Sequence, residues 1–151
     1  MIEDVIWKVS GHTTTGVTPS TMYTSEITNA TKTYGPSNGT SKVGLVYASD
    51  YGFAASPSAW TKALANYDGN DANKTSIKTI NWMYMGYNEW TITPYSSNSS
   101  NVFFLILSGN QLNNYAYNGY GFGSRPVMYL KASVLYAGGA GTKDSPITLV
   151  V

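Results

Sequence analysis

The sequence predicts a single α+β domain, residues 1–151, in which two short helices accompany mixed or antiparallel twisted strands. Tyr and Thr, with 13 and 17 copies, favour strands, whereas 15 Gly and 13 Asn favour turns. Both helix-start signals lie in the first half of the chain, and most strand signals lie in the second. Because this order lacks the strand–helix alternation of a doubly wound sheet, it indicates an α+β fold.

Three segments at the start of the chain carry local signals. Alternation of side chains predicts an opening strand over Asp4–Val9. Thr18 followed by Pro19 predicts the start of a first helix, with Thr18 as its N-cap. The Gly, Pro, Asn and Thr content of Thr28–Ser41 predicts a loop after that helix.

A second helix is predicted from Ser56 onward, where Pro57 takes the first helical position. Three large apolar residues then recur at i, i+4 and i+7 and share one face: Trp60, Leu64 and Tyr67. Gly69 is placed to end this helix.

The rest of the chain predicts short strands separated by turn residues. The strand candidates are five apolar or alternating runs: Val43–Tyr47, Trp90–Thr93, Val102–Leu107, Val127–Leu130 and Ile147–Val151. The glycines of Gly138–Gly141 predict a tight connection into the last strand. We expect that last strand to pair with the first.

The charge and the residue types exclude several functional classes. Nine basic and eight acidic residues are scattered along the chain, which argues against nucleic acid as a partner. The absence of cysteine excludes thiolate metal sites, and the single histidine, His12, excludes a pair of imidazole ligands. We expect a loop position for His12, no metal and no cofactor. No apolar run approaches the roughly 20 residues needed to cross a bilayer, so we expect no membrane insertion by this chain itself.

Two carboxylates, Asp50 and Glu89, are candidates for acid–base chemistry because both lie beside aromatic residues. A glycosidase needs two carboxylates that face each other across a cleft. The alternative is structural: Asp50 bonds a turn, and one of the two neutralises Arg125, the single arginine. Because Arg125 enters an apolar strand, we expect it to be buried with its donors hydrogen-bonded. Asp68-x-Asn70-Asp71 resembles the front of a calcium loop, and a helix-ending turn explains it equally well.

The segment between Tyr95 and Phe122 has the most unusual composition, because Tyr is mixed there with Asn, Ser and Gly. Antibody binding loops use the same residue types: rigid aromatic rings provide contact area, and small polar residues adapt their hydrogen bonds. The alternative is a polar, turn-rich region with ordinary surface tyrosines. We expect a solvent-exposed binding face built from twelve residues: Asn98, Phe104, Ile106, Leu107, Asn110, Gln111, Asn113, Asn114, Tyr115, Tyr117, Asn118 and Tyr120.

Four sequence blocks resemble the head domains of prepilin-like surface proteins of Gram-positive bacteria. The blocks keep their order and are Lys42–Ala54, Trp90–Pro94, Ser124–Leu130 and Gly138–Leu149. These heads belong to the C-type-lectin-like class. The resemblance therefore implies a C-type-lectin-like fold, an extracellular location at the cell surface and ligand binding rather than catalysis. The chain departs from the pattern in lacking a cysteine pair, the prepilin methylation signal and the calcium-binding triplets of sugar-binding lectins.

The C-type-lectin-like class also includes the variable proteins of diversity-generating retroelements, whose Asn codons are diversified near the end of the domain. The residues that alternate with framework positions between Val102 and Asn114 are a mixture that such randomisation leaves. Drift in a surface loop leaves the same mixture. The resemblance thus implies either a retroelement-diversified binding face or an ordinary one.

Two functions follow from the resemblance. The first is a non-enzymatic, surface-displayed adhesin or receptor-binding domain whose Tyr/Asn-rich face meets a macromolecular or glycan ligand. The alternative is a structural pilus or cell-surface subunit that uses the same face for self-assembly.

Overall fold

The computed structural model describes residues 1–28, 38–67, 81–98, 100–106 and 120–151, together with the backbone of 112–113. Within these ranges, short helices are combined with small, mostly antiparallel sheets, which confirms the α+β prediction. The strands are β1 Val5–Lys8, β2 Asn38–Ser41, β3 Gly44–Leu45, β4 Glu89–Pro94, β5 Val102–Leu105, β6 Leu112–Asn113, β7 Gly123–Ser124, β8 Pro126–Val127, β9 Leu135–Gly138 and β10 Thr148–Val150.

The first helix, α1, spans Pro19–Tyr23 and continues as a π-helical turn over Thr24–Thr28. The Thr18 side chain accepts a hydrogen bond from the Thr21 amide at 3.3 Å, and Pro19 lies in the first turn. Both features agree with the predicted helix start, because a side-chain oxygen satisfies an amide that has no partner within the helix.

The second helix, α2, spans Ala48–Phe53 and was not predicted. The predicted strand at this place is reduced to β3, which pairs with β8, and the chain then turns into the helix. Close packing of α2 depends on Gly52. A Cβ atom at this position would lie 2.6 Å from Pro19 Cγ and 2.7 Å from Leu64 Cδ2.

The predicted helix from Ser56 onward is wrong as a continuous element. The structure has two separate 3₁₀ turns, Pro57–Ala59 and Leu64–Asn66. The Leu64 amide donates to the Val17 carbonyl at 2.8 Å, so it is bonded to a neighbouring segment and not within a longer helix. Of the three residues predicted to share one apolar face, Leu64 and Tyr67 are buried, whereas Trp60 is exposed; Gly69 lies outside the described residues.

The predicted pairing of the first strand with the last is also wrong. Strand β1 pairs antiparallel with β2, so the end of the predicted Thr28–Ser41 loop is a strand. Strand β10 pairs with β9 in an exposed hairpin whose connection contains Gly139 at a φ of +93°. The residues before β1 bond a different part of the chain, because the Glu3 amide donates to the Tyr129 carbonyl at 3.0 Å.

The central sheet has the strand order β6-β5-β4-β7, in which β4 is antiparallel to β5 and parallel to β7. One face of this sheet packs against α1, α2 and the 3₁₀ turns. The buried apolar cluster between them contains Met22, Val46, Ala48, Tyr51, Ala54, Ala55, Ala59, Leu64, Tyr67, Met83, Phe103 and Leu105.

Candidate functional site

Aromatic side chains cluster on the outer face of the central sheet. Because side chains alternate along a strand, Trp90 of β4 points away from the core that buries Glu89 and Thr91. Trp90 and Phe104 are cross-strand neighbours with ring centroids 6.0 Å apart. Phe122, which precedes β7, lies 4.6 Å from Trp90 and 4.9 Å from Phe104.

Tyr120 extends this cluster toward solvent. Its ring is stacked on Phe122 with a centroid distance of 5.4 Å and an interplanar angle of 30°. Tyr120 is 46% exposed, whereas Trp90 and Phe122 are half-buried. We call these four residues, Trp90, Phe104, Tyr120 and Phe122, the aromatic face.

The prediction that Phe104 is solvent-exposed is wrong, since only 5% of its surface is accessible. Its ring contacts Trp90 on the neighbouring strand and Phe122 beside it. Phe104 is therefore the buried member of the aromatic face, and Tyr120 is its most exposed member.

The structure brings together only some of the predicted site residues. Asn113 of β6 is the cross-strand neighbour of Phe104, and Ile106 follows β5 in a half-buried position. Asn98 is exposed, but it lies in the turn beyond Pro94, about 13 Å or more along the strand from Trp90. The other predicted members lie outside the described residues: Leu107, Asn110, Gln111, Asn114, Tyr115, Tyr117 and Asn118.

Two members of the aromatic face, Trp90 and Phe122, were not predicted as site residues. The alternation in Glu89–Pro94 was a usable signal for Trp90, because it separates the polar Glu89 and Thr91 from the apolar Trp90. Phe122 follows a Gly-rich stretch without regular alternation, so the sequence held no comparable signal for it.

The Glu89–Arg125 pair lies on the core side of the same sheet. Arg125 Nε donates to Glu89 Oε1 at 3.2 Å, and Arg125 Nη2 donates to Glu89 Oε2 at 2.5 Å. Nη2 also donates to the Met83 carbonyl at 2.7 Å, and the Arg125 side chain is 22% exposed. The predicted hydrogen bonding of Arg125 is confirmed, whereas its side chain is half-buried and not fully buried, and a two-point contact of this kind fixes the guanidinium firmly.

The two candidate acid–base residues have structural contacts in the described part of the chain. Glu89 is buried and holds Arg125, as the structural alternative predicts. Asp50 Oδ2 accepts a hydrogen bond from the Tyr47 amide at 3.3 Å, which is the predicted turn contact. Partial desolvation of the carboxyl raises the pKa of Asp50, while the hydrogen bond from the Tyr47 amide acts in the opposite direction. Part of the residue stays exposed to solvent.

A buried carboxyl, Glu26, lies where the π-helical turn meets α2 and β4. Its Oε1 atom accepts hydrogen bonds from the Thr93 hydroxyl at 2.6 Å and from the Ser49 amide at 3.3 Å. Desolvation by burial raises the pKa of Glu26 from 4.5 to about 7, while the hydrogen bonds from Ser49 and Thr93 act in the opposite direction. No pattern in the sequence marked this residue, because its neighbours Thr24, Ser25 and Thr28 are polar and give no signal for a buried position.

The remaining predictions on single residues concern loops and metals. His12 lies in a loop, as predicted, where its Nδ1 atom accepts from the Thr14 amide at 3.2 Å. Asp68, Asn70 and Asp71 lie outside the described residues. Among the residues that the structure describes, no three His, Cys, Asp or Glu side chains are grouped to hold a metal ion.

Of the helices in the described ranges, none is long and apolar enough to cross a membrane. Comparison of the chain with protein-family models, with curated proteins and with solved structures gives no significant match.

Proposed function

We propose that this chain is a non-enzymatic ligand-binding domain of C-type-lectin-like fold, displayed at a cell surface, with the aromatic face as its binding surface. The observation that carries the proposal is the stacking of the exposed Tyr120 on the half-buried Phe122, which in turn contacts the half-buried Trp90. The fold class and the location rest on the resemblance to prepilin-like heads. The ligand is a glycan or a macromolecule.

The arrangement of the rings suits recognition for a physical reason. Tyr120 is held against Phe122, and Phe122 in turn contacts Trp90 and the buried Phe104. A ring that is already ordered loses little conformational entropy when a ligand covers it. The Tyr hydroxyl adds a polar group at the edge of an apolar surface, which favours partners with both apolar and hydroxyl groups.

The Asn-rich sequence around Asn113 offers a way to vary which ligand is bound. Strand β6 lies beside β5 at the edge of the sheet that carries the aromatic face, and the amino-acid sequence around Asn113 is rich in Asn. If this segment is diversified by a retroelement, related copies of the chain keep the rings and differ at the Asn positions. Genome sequencing tests this point. A second copy of the coding stretch for Trp90–Leu130 that lies beside a reverse transcriptase gene and differs at adenines would support diversification.

Binding to an immobilised panel of glycans and extracellular-matrix proteins tests the proposal. We expect Tyr120→Ala to weaken capture by about tenfold or more, equivalent to about 1.4 kcal/mol, without a change in Tm. Tyr136→Ala is the matched control. Tyr136 is 65% exposed on the β9–β10 hairpin, which forms a sheet separate from the central sheet that carries the aromatic face. Equal loss of capture in both variants, or no loss in Tyr120→Ala, contradicts the proposal.

The second candidate function is a structural pilus or cell-surface subunit, which is expected from the sequence to assemble through the Tyr/Asn-rich face but for which the structure offers a different surface. The observation that favours it is the β9–β10 hairpin, which exposes Leu135, Tyr136, Ile147 and Val150. Exposed strands with apolar side chains are prone to associate with other chains. This candidate predicts self-association in sedimentation velocity that Leu135→Asp abolishes, while capture by the aromatic face is unchanged.

A further inference from the structure

An apolar groove lies outside the aromatic face, between α2 and the segment that begins at Trp82. Its volume is about 290 Å³. The residues that line it are mainly apolar and include one acid: Val46, Asp50, Phe53, Ala54, Trp82, Met83 and Val127. Neither the sequence patterns nor the resemblance pointed to this groove.

Exposed aromatic rings border the groove. Trp82 is 78% exposed, although its backbone amide is held by the Ala54 carbonyl at 3.4 Å. Phe53 also lines the groove, and its ring packs edge-on against Trp60 at 5.3 Å and against Tyr23 at 6.4 Å, both of which are exposed. Exposed aromatic side chains gathered beside an apolar groove are a feature of interaction sites.

Asp50 supplies the charge of the groove. Neither of the two ion pairs within the described residues involves Asp50, since these pairs join Lys42 to Asp4 and Arg125 to Glu89. Among the described residues, the groups whose pKa is raised by the charge of Asp50 include Glu26, Tyr47 and Tyr129, and none of these three is a cation.

Arg125 is the cation behind the groove, because its guanidinium donates to the backbone carbonyl of Met83. Its charge is balanced by Glu89, which accepts from Arg125 through both carboxylate oxygens. The groove therefore presents one negative group within apolar and aromatic walls.

We propose that this groove is a second binding site, distinct from the aromatic face, and that it takes a lysine side chain of a partner polypeptide. The aliphatic stem of lysine fills the apolar part of the groove between Phe53 and Val127. The ammonium group then pairs with the Asp50 carboxylate beside the ring of Trp82. A carboxylate within apolar walls strengthens such an ion pair, and an indole face attracts a cation.

The test uses the peptide acetyl-Gly-Lys-Gly-amide and its norleucine counterpart, which has the same stem without the ammonium group. Binding is followed by NMR through the indole N–H signals of the four tryptophans, with Trp82→Phe to assign the Trp82 signal. We expect the lysine peptide to shift the Trp82 signal and to bind at least about fivefold more tightly than the norleucine peptide.

Two variants connect the effect to the carboxylate. Asp50→Asn keeps an oxygen that can accept from the Tyr47 amide, and we expect it to remove the preference for lysine. Asp144→Asn, the same change at an exposed turn, leaves the preference intact. If Asp50→Asn does not fold, the comparison of the two peptides on the unaltered chain still decides.

Three results overturn the proposal. Equal binding of the two peptides means that the groove takes an apolar side chain instead. An unchanged lysine preference in Asp50→Asn means that another group binds the ammonium. A shift of the Trp82 signal with protein concentration alone means that a second copy of the chain fills the groove. Because Tyr120 does not line this groove, failure of this site leaves the proposed function of the aromatic face unaffected, and the reverse also holds.

Discussion

Replacement of the buried Glu26 by Gln is expected to remove a large part of the pH dependence of stability. Oε1 of Glu26 accepts hydrogen bonds from Thr93 and Ser49, whereas Oε2 is buried without a hydrogen-bond partner. This environment favours the neutral carboxyl, because burial of a charge costs more than two hydrogen bonds recover. Glutamine keeps the carbonyl acceptor and cannot ionise.

The sign and the magnitude follow from the two pKa values. Burial raises the pKa of Glu26 to about 7 in the folded chain, compared with 4.5 for an unperturbed carboxyl. The folded state therefore holds the proton more tightly than the unfolded state, so the free energy of unfolding falls as the pH rises from 4.5 to about 7. The full loss is about 3 kcal/mol, since one pKa unit is equivalent to 1.36 kcal/mol.

Urea denaturation at a series of pH values between 4 and 8 measures this loss. We expect the wild-type chain to lose about 3 kcal/mol more than Glu26→Gln across that range. An unpaired Gln amide can lower the stability of the variant, but it does so equally at every pH, so the difference in slope is diagnostic. Glu3→Gln, the same change outside the core, retains the wild-type slope. Parallel curves for the wild type and Glu26→Gln would refute the reasoning.

The remaining predictions concern stability and use the same urea assay. Arg125→Ala leaves Glu89 buried and unpaired and is expected to cost about 3 kcal/mol, most of which returns when Glu89→Leu is combined with Arg125→Met. Gly52→Ala forces a methyl group against α1 and is expected to cost about 1–3 kcal/mol, whereas Gly39→Ala, which has open space around it, costs less. Thr93→Val removes the donor to Glu26 and the acceptor of the Ala48 amide, and we expect a cost of about 1–3 kcal/mol that is largest at high pH. An unaltered free energy of unfolding in any of these variants contradicts the contact assigned to it.

The sequence predicted structure well where the physical cause is local. Thr18 and Pro19 start a helix through contacts within four residues, and the helix is present. The helix predicted after Ser56 fails because its stability depends on distant groups. The amides of Leu64 and Ala65 bond the carbonyls of Val17 and Thr15, far earlier in the chain, and this divides the segment into two turns.

The same distinction between local and distant causes holds for the candidate site. The hydrogen bonding of Arg125 could be predicted, because a lone guanidinium in an apolar strand needs acceptors in any fold. The burial of Phe104 could not be predicted from the sequence. Phe103, Phe104 and Leu105 are all apolar, so the alternation along β5 does not indicate which side chains point toward the core. The groove at Trp82 depends on a contact between α2 and a segment about 30 residues later, for which no local signal exists.

Strand β4 carries its polar side chains on the core side and its apolar side chains on the outer side. Its inward residues, Glu89, Thr91 and Thr93, are polar, and each is hydrogen-bonded within the core: Glu89 to Arg125, Thr91 to the Phe103 carbonyl at 2.8 Å, and Thr93 to Glu26. Its outward residue Trp90 is apolar and only half-buried. This is the reverse of the usual pattern, in which the apolar side of a strand faces the core. Trp90 contacts the buried Phe104 and the half-buried Phe122, so it completes an apolar cluster on this side of the sheet, and the part of its indole that stays exposed is the part that the proposed ligand would cover.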